Sequence, residues 1–233
     1  MKDFFNIMGN NRLPLILSVV VSYLFGSISF AIISTKLFQK TDIREHGSGN
    51  AGATNVLRSA GVKPAIMTFS GDLLKAIASV IASRVLFSTL GNLNQEYLSV
   101  IPAFIAGLFC IVGHMFPLFF SFRGGKGIMT TAGMILMLDY RIFVILIVIY
   151  AIFFAITKTI SKCSILIAVL IPIVTFLVKY FLDYSKIPNY PLSLCFFSTS
   201  VSLIVGLLII VGHRDNIKRI LKGEEKKFSV KSK

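Results

Sequence analysis

Apolar runs long enough to cross a bilayer recur along this chain, and that pattern excludes most soluble folds. A helix spanning a hydrocarbon core needs about 20 mostly apolar residues at roughly 1.5 Å each. Runs of that kind, bounded by charge or by Gly, Pro and Asn, extend over Leu13 to Ser34, Tyr97 to Phe116, Ile142 to Thr157, Ser164 to Leu182 and Leu192 to Val211. Two weaker runs accompany them: Ala65 to Leu90 carries Asp72, Lys75 and Arg84, and Ile128 to Leu138 is short and leads straight into Asp139, Tyr140 and Arg141. Composition agrees, with 55% of residues from AVILMFWYC and 15% charged, against about 45–50% and about 25% in soluble domains. The pattern predicts an all-α integral membrane protein of about seven transmembrane helices, with five as the alternative count. It forms one polytopic domain with spans near 13–34, 65–90, 97–116, 128–140, 141–157, 163–182 and 192–212, followed by a basic tail over 213–233. The first run is longer than the apolar region of about 7–15 residues in a secretory signal and lacks a small-x-small cleavage site, so it reads as a span.

The net charge of +14, from 24 Lys and Arg against 10 Asp and Glu, is distributed unevenly. With seven spans, seventeen of the basic residues fall on the side of the first, third, fifth and seventh connections and six on the other, Lys75 lying within a span. The positive-inside rule makes the richer side cytoplasmic, placing the N-terminus outside and the C-terminus inside. On so apolar a chain the charge implies anionic headgroups and substrates rather than nucleic acid. Cys110, Cys163 and Cys195 have neither disulfide-framework nor metal-ligand spacing, so no metal site is expected.

Three polar clusters break the apolar background, all on the cytoplasmic side of this topology. The first runs from Gly47 through Ser48, Gly49, Asn50, Ala51, Gly52, Ala53, Thr54 and Asn55 to Arg58. Small residues there let backbone N–H groups approach an anion, the polar side chains add contacts, and Arg58 supplies a forked charge-assisted donor. A flexible Gly/Ser/Asn loop would share the composition, but not the four polar side chains with an arginine behind them. The second cluster holds Gly113, His114, Met115, Phe116 and Pro117, then Phe119, Phe122 and the turn Arg123, Gly124, Gly125, Lys126, Gly127 before an apolar helix. A Gly-Gly-Lys-Gly turn at a helix N-terminus brings orphan N–H groups, the helix dipole and a lysine to one point, a recipe for phosphate. The GxxxxGK[ST] spacing of a nucleotide-binding loop is absent. A basic turn anchored to headgroups is the plainer alternative.

The third cluster, His213, Arg214, Asp215, Asn216, Ile217, Lys218 and Arg219, continues to Gly223, Glu224 and Glu225. Ile217, Ile220 and Leu221 would lay a short amphipathic helix on the headgroups. A positive-inside tail accounts for most of the lysines, though not for His213 and Asn216, which one turn could aim at one ligand. Asp72 and Lys75, three apart inside a span, should pair or face a polar interior. The tetrapeptide Ile-Val-Gly-His ends at both His114 and His213, placing two imidazoles at similar depth.

Together these residues resemble the bacterial integral-membrane glycerol-3-phosphate acyltransferase family that uses acyl phosphate as donor, often called the PlsY type. The family's S-G-N-x-G-x-T-N-x-x-R motif is matched from Ser48 to Arg58, its G-H-x-F-P and G-G-K-G motif from Gly113 to Gly127, and its third motif, with N-I-x-R and a later G-x-E, by His213, Asn216, Ile217, Arg219, Gly223 and Glu225. Ala76 stands where Gly is common and Met129 where Ala is usual. The resemblance implies acyl transfer from acyl phosphate to the sn-1 hydroxyl of glycerol 3-phosphate, giving lysophosphatidic acid and phosphate for phospholipid synthesis in the bacterial cytoplasmic membrane. It implies that Ser48, Gly49, Asn50, Thr54, Asn55, Arg58, His114, Gly124, Gly125, Lys126 and Gly127 bind substrate and its phosphates, and that His213, Asn216 and Ser164 serve catalysis, with Ser161 the neighbouring choice to Ser164. It also implies membrane lipids and a soluble acyl-phosphate-forming enzyme as functional partners. Because acyl phosphate is already an activated anhydride, neither a metal nor another cofactor is required. Either His213 or a substrate phosphate oxygen could take the proton. A transporter of a small phosphorylated metabolite, or a non-catalytic membrane scaffold, is the competing class; a transporter site usually sits near the midplane between repeated halves.

Overall fold

The computed structural model describes residues 9–91 and 99–228, and all regular elements among them are helical. They are α1 (Arg12–Ser27), α2 (Phe30–Gln39), α3 (Ala53–Ala60), α4 (Val62–Leu90), α5 (Val100–Met115), α6 (Ile128–Leu138), α7 (Tyr140–Thr157), α8 (Ile160–Val178), α9 (Leu192–Gly212) and α10 (Arg214–Leu221), with 3₁₀ turns at Ile43–Glu45 and Leu118–Phe120 and a π-helical continuation of α8 over Lys179–Tyr184. Six helical stretches are long and apolar enough to cross a membrane, beginning with Arg12–Gln39, in which α1 and α2 are two halves of one path. The start of the run expected from Tyr97 lies outside the described residues. Helix α6, the short seventh segment, spans only about 16 Å at the helical rise, and packs against α4 and α5.

The bundle joins two sets of neighbours: α1 against α4 and α5, and α8 against α9. Its largest apolar cluster includes Phe104, Ile111, Met134, Ile142, Ile171, Val205 and Ile209. Small residues permit the closest crossing; a Cβ on Gly26 would lie 2.1 Å from the Cys110 carbonyl oxygen, so α1 and α5 touch backbone to backbone there. Helix α7 is the outlier, with only Ile142 and Leu146 buried. Phe143 packs partly on the core and Tyr150 turns to a cavity, but Val144, Ile145, Ile147, Val148, Ile152 and Ile156 face the lipid, which explains an apolar sequence with little amphipathic pattern.

Two polar features inside the apolar body obey the rule that buried charges are paired. Between α1 and α2 the helix breaks at Ile28–Ser29, leaving carbonyls without intrahelical donors. The Lys75 ammonium fills the gap, donating to Gly26 O at 3.0 Å and Ile28 O at 2.8 Å, while lying 2.9 Å from an Asp72 oxygen. Lys75 also sits 2.9 Å from His114 Nδ1. Asp72 and Lys75 therefore pair as their spacing required, and the pair repairs a broken helix. At the opposite end of the bundle from the three polar clusters, Lys179 reaches Asp139 at 2.8 Å and Asp183 at 2.9 Å, and Arg141 bridges the same two carboxylates. Asp139 also accepts from the Arg141 backbone N–H, capping α7.

Candidate active site

The three polar clusters and the α7–α8 connection meet at one end of the bundle around a cavity of about 470 Å³. Ser48, Asn50, Thr54, Asn55 and Arg58 line it from the first cluster, His114, Lys126 and Gly127 from the second, Ser161 and Ser164 from α8, and Asn216, Arg219 and Glu225 from the third. Of the residues singled out from the sequence, Gly49, Gly124, Gly125 and His213 do not line it.

Asn55 builds the first loop from within. Its Oδ1 accepts from the Ser48 N–H at 3.0 Å, and its Nδ2 donates to His46 O at 2.9 Å and Asn50 O at 3.1 Å. Buried and so fully engaged, Asn55 shapes the loop more than it offers groups to a ligand. Arg58, one turn further along α3, is exposed at the cavity rim.

The glycine turn works differently from the phosphate cradle its sequence suggests. The Gly124 N–H donates to Met115 O at 3.2 Å and the Gly125 N–H to His114 O at 3.1 Å, so both amides are engaged in closing α5. A Cβ on Gly124 would lie 2.0 Å from His114 O, and one on Gly125 2.2 Å from His114 Nε2. These two glycines are needed for close approach to α5, and that approach delivers Lys126 to the cavity. Gly127, at φ +85°, then turns the chain into α6.

Lys126 donates to Asn216 Oδ1. Burial, and next the Arg219 charge, pull the Lys126 amine below its ordinary value. Asn216 in turn donates to Glu225 Oε1 at 2.8 Å, Ser161 donates to the same oxygen at 2.6 Å, and Arg219 Nε donates to Oε2 at 2.7 Å. Burial alone would raise the Glu225 carboxyl, but those three hydrogen bonds outweigh it and hold the group below its usual range. Glu225 reaches this position because Gly223, at φ +73°, folds the tail back after α10, with Glu224 N–H donating to Arg219 O and Phe228 N–H to Lys158 O. Arg58, Lys126 and Arg219 thus share one cavity with Glu225, while the cavity's other carboxylate, Asp72, is already paired with Lys75, and the excess positive charge suits a phosphate.

The serine joined to this network is Ser161; Ser164 Oγ donates to its own helix at Ile160 O, 3.0 Å away. His213 is buried at 4% exposure, with Nδ1 2.8 Å from Ile209 O. A carbonyl only accepts, so Nδ1 carries the proton, and burial pushes the imidazole down to about 4.

The cavity has a second, apolar arm. Val62, Ile66 and Phe69 of α4 form one wall and Tyr150 of α7 the other, over Ile128 and Met129 of α6. Val62, Ile66 and Phe69 are each about half exposed on the lipid-facing surface, so the arm opens sideways from the bundle. Phe119 and Phe122 of the second cluster are exposed and do not line it. Reasoning from the sequence matched Arg219 and Glu225 to the N-I-x-R and G-x-E motif but placed neither among the site residues; that motif was the available signal.

A polytopic helical bundle whose end cavity joins cations to a lipid-facing apolar arm defines an integral-membrane protein able to hold an anion and a hydrocarbon chain side by side. The chain belongs to the glycerol-3-phosphate acyltransferase family, whose model matches residues 16–223. It is 36% identical to the glycerol-3-phosphate acyltransferase of Neisseria meningitidis serogroup C, over 92% of this chain and 97% of that protein. It is also 36% identical to glycerol-3-phosphate acyltransferase 2 of Bacillus anthracis, over 91% and 98%. Among solved structures it matches PlsY, an integral membrane glycerol 3-phosphate acyltransferase, in its glycerol 3-phosphate form, with a TM-score of 0.72, 31% identity and coverage of 92% and 96%. The lysophosphatidic acid form of PlsY matches at a TM-score of 0.69 and 30% identity, covering 93% and 96%. Membership of an enzyme family displaces the transporter and scaffold readings.

Proposed function

We propose that the protein transfers a fatty acyl group from acyl phosphate to the sn-1 hydroxyl of glycerol 3-phosphate, at the cytoplasmic face of a bacterial inner membrane. The observation that carries this reading is the union, in one cavity, of Arg58, Lys126 and Arg219 with an apolar arm that opens to lipid. Acyl phosphate needs both environments at once, a phosphate beside cations and a tail beside hydrocarbon. The glycerol hydroxyl oxygen bonds to the acyl carbonyl carbon, the carbonyl carbon–oxygen bond to phosphate breaks, and inorganic phosphate leaves with its electron pair. The cations offset the repulsion between two anionic substrates and hold the hydroxyl near attack distance.

The proton goes to a phosphate oxygen in this mechanism. His213, depressed to about 4 with Nδ1 committed to Ile209 O, is the weaker base, whereas a phosphate monoester has a second pKa of about 6. His213 instead stiffens the α9–α10 corner from which Asn216 and Arg219 project. The basic residues concentrated at the cavity end support the cytoplasmic orientation.

The test is phosphate release and lysophosphatidic acid formation by purified protein given palmitoyl phosphate and glycerol 3-phosphate. Parallel arms use palmitoyl coenzyme A as donor, product regiochemistry, and the Lys126→Ala variant. Product only from the acyl phosphate, at the sn-1 position, with collapse in Lys126→Ala is the expected result. Turnover with the thioester alone overturns the donor, and inactivity with either donor in folded, lipid-reconstituted protein overturns the reaction.

A further inference from the structure

A second groove, of about 380 Å³, lies between α8 and α10 and shares no lining residue with the catalytic cavity. One wall is Lys162, Ile165, Leu166 and Val169; the other is Ile217, Ile220 and Leu221. The first four stand at i, i+3, i+4 and i+7 on α8, so a single strip runs from a cation near the cavity end of the helix down toward the hydrocarbon. Val169 is 48% exposed and Leu221 82% exposed. Left to water, so apolar a surface would be costly at about 25 cal/mol per Å². Arg214 and Lys218 on α10 and Lys222 at its C-cap follow at intervals of four, in a strip adjoining the apolar one, and Asp215 is the only acid on that helix.

We infer that this groove is a binding site for one anionic phospholipid, its phosphate at Lys162 and an acyl chain lying along Ile165, Leu166 and Val169 beneath α10. Cation at the mouth and hydrocarbon below reproduce the polarity of a lipid, and the cationic border of α10 selects negative headgroups over zwitterionic ones. The opposite face of α10 carries Asn216 and Arg219 into the catalytic cavity, so the lipid seats the helix that forms one wall of that cavity.

The natural chain contains no tryptophan, so a single introduced one reports alone. Val169→Trp places it on the groove floor, Leu221→Trp at its roof, and Ile147→Trp on the lipid-facing side of α7 as a reference for bulk lipid. Each full-length variant is reconstituted in phosphatidylcholine vesicles containing a minor share of phosphatidylglycerol, with bromine on the acyl chains of one lipid or the other. Quenching at Val169→Trp and Leu221→Trp should show phosphatidylglycerol enriched about fivefold over its bulk share, the preference one lysine near an anionic headgroup provides. Ile147→Trp should show no enrichment, and Lys162→Gln combined with Val169→Trp should remove most of it. Equal enrichment at Ile147→Trp, or quenching by each brominated lipid only in proportion to its bulk share at the two groove positions, overturns the site. Absence of quenching by either lipid in the groove overturns lipid as its occupant. None of these readouts depends on catalysis.

Discussion

Glu225 gathers Ser161, Asn216 and Arg219 onto its two oxygens, and through Asn216 it governs how Lys126 is held. Glu225→Gln keeps the shape and removes the charge, leaving the Arg219 guanidinium without its ion pair. Turnover should fall by about tenfold or more, with KM for glycerol 3-phosphate changed, since a hydrogen bond to a charged group is worth about 1.5–3 kcal/mol; unchanged kinetics would remove Glu225 from the site. His213 supplies a pH test. Its folded value lies below the ordinary one, so its contribution to stability is complete above about pH 6.5 and is lost as pH falls toward about 4. The melting temperature of the detergent-solubilised protein should decline across that window, and His213→Gln should flatten part of the decline. The same variant should retain turnover with a pH–rate limb near that of the parent; loss of both would restore His213 as the base. At this scale the sequence was legible in residue type and motif, so Ser48, Arg58, Lys126 and Asn216 could all be found. It could not separate residues that face a ligand from those that build the frame. Asn55 and Gly125 read as ligand contacts because motifs record which residues are present, while their partners, His46 O and His114, become visible only when the chain is folded.

Helices report themselves through apolar length, which is why the six described stretches long enough to span were legible as spans. The interruption at Ile28–Ser29 was not, because nothing in Gly26, Ser27, Ile28 and Ser29 announces that a lysine about fifty residues away will satisfy the freed carbonyls. That dependence predicts an asymmetry. Lys75→Met leaves Asp72 with only the His114 imidazole, 3.4 Å away, as partner and two carbonyls without a donor, and should cost about 3–5 kcal/mol. Asp72→Asn with Lys75→Met removes the stranded charge and should recover part of the loss, measured as a melting temperature nearer the parent. An equal loss in both variants would mean that the helix break, and not the ion pair, dominates. The tail beyond α10 was likewise invisible as structure: lysines dominate its composition, and only the Gly223 turn brings Glu225 back to Arg219 and Phe228 to Lys158.

At the scale of the whole molecule the two solvents of the cavity stay separate. Polar loops close it at one end, whereas Val62, Ile66, Phe69 and Tyr150 leave its apolar arm open between α4 and α7. A closed acyl pocket discriminates by about 1–3 kcal/mol for each methylene; an arm that spills into the bilayer has no end wall with which to do so. Myristoyl, palmitoyl and stearoyl phosphate should therefore give kcat/KM values within a small factor of one another, and a steep optimum at one length would show that the arm is closed. Helix α7 fully buries only Ile142 and Leu146, which makes it the loosest plank in the wall beside that opening. Its sparse attachment turns the enzyme into a dock at a shoreline. The water-borne reactant arrives by the landward end, the oil-borne one drifts in alongside, and neither has to leave its own phase before the two meet.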